Sequence, residues 1–137
     1  HGNMIKKEDT LEGYLEKNEN QNRVYISQKS TNRTKSIYTH YRVLEEKSAY
    51  SLLEIELLTG RTHQIRAHMA SIGHPLAGGG KYGTNALNKT NPFRYQALYS
   101  YKLRFSFETP AGILDYLNQK EFTVKDIWFL KEFQKFQ

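Results

Sequence analysis

The sequence of 137 residues predicts one α+β domain, a mixed, largely antiparallel sheet carrying two main helices. Three observations point there. Short runs rich in β-branched and aromatic residues are separated by polar turns. Residues 97–107 alternate with a period of two, and two other segments space their apolar residues as helices do. Hydrophobic residues make up 38% and aromatic residues 13%, enough to build a core, so global disorder is excluded.

Taken in order, His1-Gly2-Asn3 ahead of Met4 reads as a tag remnant, and fold reasoning starts at Met4. Arg23-Val-Tyr-Ile-Ser27 and Tyr41-Arg-Val-Leu-Glu45 read as short strands. The polar, basic stretch from Gln28 to His40 between them reads as an exposed loop. Tyr50 to Leu58 reads as a strand with Leu53, Ile55 and Leu57 on one face and Glu54 and Glu56 on the other. A helix follows. Thr59 or Thr62 can cap it, Ile65, Met69 and Ile72 line one side, and Gly73 and Pro75 stop it.

Leu76 to Gly83 is a glycine-rich turn and Thr84 to Tyr95 an Asn-rich loop. In 97–107 the residues Ala97, Tyr99, Tyr101, Leu103, Phe105 and Phe107 form the inward face of an expected strand. Lys102 and Arg104 lie on its outward face. The capping box Thr123-Val-Lys-Asp126, with Val124, Ile127, Trp128 and Leu130, signals a last helix.

No run approaches the roughly 18 apolar residues of a membrane span. No Cys is present, which excludes a disulfide scaffold and thiolate-bound zinc and goes with a cytoplasmic location. The net charge of +6 is unevenly placed. Residues 57–107 contain no acid but carry Arg61, Arg66, Lys81, Lys89, Arg94, Lys102 and Arg104. Such a block projects a positive field suited to a polyanion such as nucleic acid, unless acids distant in sequence neutralise it in space.

The chemistry concentrates in Thr59-Gly-Arg-Thr-His-Gln-Ile-Arg-Ala-His68. Arg61 at a helix N-terminus faces the like-signed end of the helix dipole. On a helical wheel it lies about 40° from Ile65, towards the packed side. A cation so placed calls for a phosphate, for a carboxylate from elsewhere, or for a stem lying over the core with its head in water. His63 and Arg66 project elsewhere. His63 and His68 are five apart with no Glu between them, which does not match a helical zinc pair. Gly78-Gly-Gly-Lys-Tyr82 lacks the first glycine and the Ser/Thr of a phosphate-binding P-loop. No metal site is expected.

These residues closely resemble the RluA-type RNA pseudouridine synthases. The ten-residue block is followed by Ser71-Ile-Gly-His-Pro-Leu76 and Lys81-Tyr-Gly83. Thr39-His-Tyr-Arg-Val-Leu44, Gln96-Ala-Leu98 and Tyr101-Lys-Leu-Arg-Phe105 also match. The resemblance spans roughly Leu11 to Phe107. It implies isomerisation of uridine to pseudouridine in structured RNA, ribosomal or transfer, without metal or organic cofactor. It also implies that Arg61 ion-pairs the family's catalytic aspartate. Thr62, His63, Gln64, Ile65, Arg66, His68, Lys81, Tyr82, Lys102 and Arg104 are the implied substrate and RNA contacts. The target uridine would be taken out of its stack.

The family's aspartate belongs to a His-Arg-Leu-Asp segment, and none occurs here; Glu8, Asp9, Glu12 and Glu16 lack the required neighbours. Gly79 stands where the family commonly has Asp, and Tyr99-Ser100 where it has His-Ala. Residues 4–137 are therefore expected to be the C-terminal portion of a catalytic domain, a fragment of the pseudouridine synthase fold that is inactive alone. An unpaired sheet edge in such a fragment would favour self-association. The alternatives are a non-catalytic RNA-binding module and an interaction domain for an acidic protein.

Overall fold

Alternation of inward apolar and outward polar residues builds a four-stranded sheet from the first half of the chain. The structure, a computed structural model, describes residues 1–137. β1 (Glu8–Asn18), β2 (Arg23–Ser27), β3 (Thr34–Lys47) and β4 (Tyr50–Leu57) lie in the order β2-β1-β3-β4, each neighbouring pair antiparallel. On β3, Ile37, Thr39 and Tyr41 are buried, while Tyr38, Arg42 and Leu44 face solvent. A bulge between Val43 and Glu45 shifts the register towards the tight turn at Ser48.

One helix, α1 (Gln64–Ser71), covers the inward face. Its Ala67 packs with Leu15, Val24 and Ile37, and its Met69 with Met4 and Tyr41. Burying these side chains supplies the main driving force for docking the helix, roughly 1.5–3 kcal/mol for each large apolar group. The remaining elements are short: α2 (Asn85–Thr90), β5 (Lys102–Arg104), β6 (Glu121–Thr123) and α3 (Leu130–Phe133), with a 3-10 turn at Gly112–Leu117. No helix is long and apolar enough to cross a membrane.

The α+β class and the antiparallel sheet agree with the sequence expectation, but several elements differ. β1, a central strand, went unread because Glu8, Glu12 and Glu16 mask the alternation of Leu11, Gly13 and Leu15 on its inward side. The expected loop 28–40 is strand from Thr34 onward, and the Asn-rich loop holds α2, capped by Thr84. The expected strand over 97–107 shrinks to β5, which pairs only with β6. Its supposed core face is open: Tyr99 is 40% and Leu103 56% exposed. Strict alternation there found no second layer to bury it.

The capping box at Thr123 is not used. Thr123 ends β6, and the last helix is the single turn α3. Leu130 belongs to α3, while Trp128 joins an aromatic group with Phe93, Tyr95 and Phe129. Residues 1–3, set aside as a tag remnant, are held by the fold. The Gly2 amide donates to the Ala49 carbonyl at 2.6 Å, and the Ser51 hydroxyl donates to the Gly2 carbonyl at 2.7 Å.

Candidate RNA-facing site around the β4–α1 loop

The chain leaves β4 at Leu57 and enters α1 at Gln64 through a loop whose shape is set by one buried glutamine. Gln64 is 2% exposed, yet all its bonding capacity is used. Its Oε1 accepts from the Thr59 hydroxyl at 2.9 Å and from the Arg61 amide at 3.1 Å. Its Nε2 donates to the Tyr38 carbonyl at 3.0 Å and to the Thr39 hydroxyl at 2.9 Å. Thr39 Oγ1 in turn lies 2.9 Å from Nδ1 of His68.

Thr39 accepts from Gln64 and shares a second bond with His68 Nδ1, so one hydroxyl joins the glutamine to the histidine. Burial pushes the His68 pKa below its ordinary value, and a bond to the Glu12 backbone partly opposes this. The neutral ring fits both partners. This network ties the Arg61 loop to β3 and to the middle of α1. Satisfied polar groups of this kind hold geometry firmly because leaving any one unpaired is costly.

Neither Thr59 nor Thr62 caps the helix. His63 occupies the N-cap position in a left-handed conformation, φ 53°, with no side-chain cap. Its ring lies edge-on to Tyr82, with Nδ1 3.0 Å from the Tyr82 hydroxyl, which also accepts from the Val24 amide at 3.1 Å. Burial, followed by the charges of Arg66 and Lys81, lowers the His63 pKa. The guanidiniums of Arg66 and Arg23 lie 5.2 and 5.1 Å from the centre of the Tyr82 ring. Lys81 donates to the Asn22 carbonyl.

Arg61 precedes α1, so the wheel argument that aimed it at the packed side does not apply; Arg61 and Thr62 are exposed. None of the structure's ion pairs includes Arg23, Arg61, Arg66 or Lys81. Gln64, Ile65 and His68 correct the list of RNA contacts. Gln64 and His68 are buried, and Ile65 packs beside Met4, Tyr41 and Met69, so all three support the site from beneath.

Lys102 and Arg104 are not brought to this group. Lys102 lies 3.6 Å from Glu54, which also pairs with Arg42 at 2.7 Å and receives the Tyr101 hydroxyl. Arg42 and Glu54 are partners in register on the sheet face turned away from α1. Thr39, Thr59 and Arg23 were missed as members of the site. The first two belong to recognisable segments, but nothing local to Arg23 signals its approach to Tyr82.

A sequence model of the family described as "RNA pseudouridylate synthase" matches residues 2–71. Ribosomal large subunit pseudouridine synthase D of Nitrosomonas europaea is 44% identical over 81 residues, 56% of this chain and 24% of that protein. The uncharacterized RNA pseudouridine synthase YlyB of Bacillus subtilis is 51% identical over 71 residues, 52% of this chain and 22% of that protein. The matched chain thus spans about a quarter of the length of these relatives. The solved structure of human RNA Pseudouridylate Synthase Domain Containing 1 superposes with a TM-score of 0.66 at 24% identity, over 98% of this chain and 62% of that one. That likeness concerns the fold.

Proposed function

Because the chain belongs to the RNA pseudouridylate synthase family, we propose that it is the C-terminal portion of an enzyme that isomerises uridine to pseudouridine in ribosomal RNA. In this reading a catalytic aspartate, carried by a segment outside the present sequence, breaks the C1′–N1 bond of a flipped-out uridine. The uracil leaves with the bonding pair on N1, turns and is rejoined to C1′ through C5; the C5 proton is released and N1 takes up a proton, so the product is an isomer. Arg61 ion-pairs that aspartate and orients it. A ribosomal target goes with a cytoplasmic location.

The observation that carries the reading is the placement of Arg61. Its backbone is clamped by Gln64, while its side chain is exposed and in no ion pair within the chain. A fixed backbone with an uncommitted guanidinium suits a group awaiting a carboxylate. The free edges β2 and β4, with exposed Leu57 and Leu58, support self-association of the isolated chain. Gel filtration at high concentration tests that part; a clean monomer refutes it.

The main test is tritium release from ribosomal RNA labelled at uridine C5. Protein that includes the aspartate segment is expected to release tritium, and the present chain alone is not. Turnover by the present chain would refute the role given to an external aspartate. RNA binding without turnover by the longer protein would favour a non-catalytic binding module.

A further inference from the structure

Tyr82 is rooted in the core, packed against the cluster of Leu15, Val24, Ile37 and Ala67. Its hydroxyl is held from two sides, by the Val24 amide and by His63. A ring so fixed cannot swing out to stack on a base. Its remaining surroundings are cationic: Arg23 from β2 and Arg66 from α1 each place a guanidinium about 5 Å from the ring centre. Lys81, the residue before Tyr82, bonds the carbonyl of Asn22, the residue before Arg23. Two segments distant in sequence are thus pinned together beside Tyr82.

Arg66 Nε is closed off from solvent and unbonded, which leaves its terminal nitrogens as the groups able to receive a ligand. No carboxylate pairs with any of the three cations, although acids elsewhere pair with Lys6, Lys7 and Arg42. Guanidinium groups already fixed by an aromatic surface suit phosphate, because little side-chain freedom remains to be lost on binding.

We propose that Arg23, Arg66 and Lys81 form a phosphate clamp around Tyr82 that takes the sugar–phosphate backbone of the RNA substrate. Tyr82 acts as a positioning residue, and Arg23 is a contact outside the family motif. The inference rests on the RNA reading above and deepens it. A backbone contact carries no base preference, so its effect must be the same on RNAs of different sequence.

The test is fluorescence anisotropy of the present chain with two labelled RNA hairpins of unrelated sequence, over a series of KCl concentrations. Arg23→Gln is expected to weaken binding to both hairpins and to lower the slope of log affinity on log salt by about one. Lys125→Gln removes an exposed charge on a different segment and is expected to keep the wild-type slope. Arg23→Lys is expected to restore most of the slope. Tyr82→Leu, checked for folding by circular dichroism, is expected to lose slope without losing a charge. If Arg23→Gln matches Lys125→Gln while the wild type binds, the clamp is wrong and the RNA reading stands. Loss on one hairpin only also overturns the clamp, and so does failure of the wild type to bind either hairpin, whereas the RNA reading stands or falls with tritium release by the longer protein.

Discussion

Thr39 on β3 and His68 on α1 share a buried hydrogen bond of 2.9 Å, and through Gln64 that bond reaches the backbone of Arg61. Helix, sheet and functional loop are coupled by three side chains that a sequence pattern would count as ordinary polar residues. The packing of the interior and the geometry of the loop that carries Arg61 are therefore linked at this point.

Thr39→Val keeps the shape but removes the hydroxyl, leaving His68 Nδ1 and one Gln64 amide hydrogen unbonded in the interior. A loss of about 1–3 kcal/mol is expected in urea unfolding. Thr39→Ser should retain most of the stability. Wild-type stability in Thr39→Val would contradict the network.

His68, His63 and His74 all have pKa values lowered, chiefly by burial, from an ordinary 6.5. With depressed folded values, the unfolded chain takes up protons first as pH falls. The stability they contribute is complete above about pH 6.5 and declines as pH drops through the folded values. Asp9 and Glu46 are held below the usual carboxylate range by hydrogen bonds from Lys6 and Lys7, so their contributions are lost only at lower pH. A urea midpoint that stays flat between about pH 7 and about pH 5 would refute this assignment.

Gly78 has φ +72°, and an added Cβ would run into the Tyr95 carbonyl. Both the backbone conformation and the space demand glycine. Gly78→Ala should cost roughly 2–3 kcal/mol and loosen the bond from the Ala97 amide to the Ala77 carbonyl. Thermal unfolding and hydrogen exchange at Ala97 would report it.

Arg61→Ala, in a protein that includes the aspartate segment, should abolish tritium release while RNA affinity changes little. Single-turnover assays with separate binding titrations distinguish the two effects. Near-normal turnover would rule out the ion-pair role.

Lys102→Ala should leave the salt dependence of RNA binding close to wild type, because Lys102 already faces Glu54 on the far side of the sheet. A fall in slope by about one would restore Lys102 to the RNA surface.

Much was determined by the sequence alone. The alternation of Leu53 and Ile55 against Glu54 and Glu56, the helical spacing of Ile65 and Met69, and the motif from Thr59 to His68 are local signals. Each reports an element or a family without needing a partner. The acid-free block was equally plain, but its meaning was not. Charge in sequence does not say which cations share a face, and the sheet separates Lys102 from Arg66 while a loop brings Arg23 to Tyr82. Tertiary structure likewise decided the fate of residues 97–107, since period two fixes which side chains share a face but not whether a layer exists to cover them. Hydrogen-bond and packing partners are supplied by segments far along the chain, and only the folded arrangement selects among them.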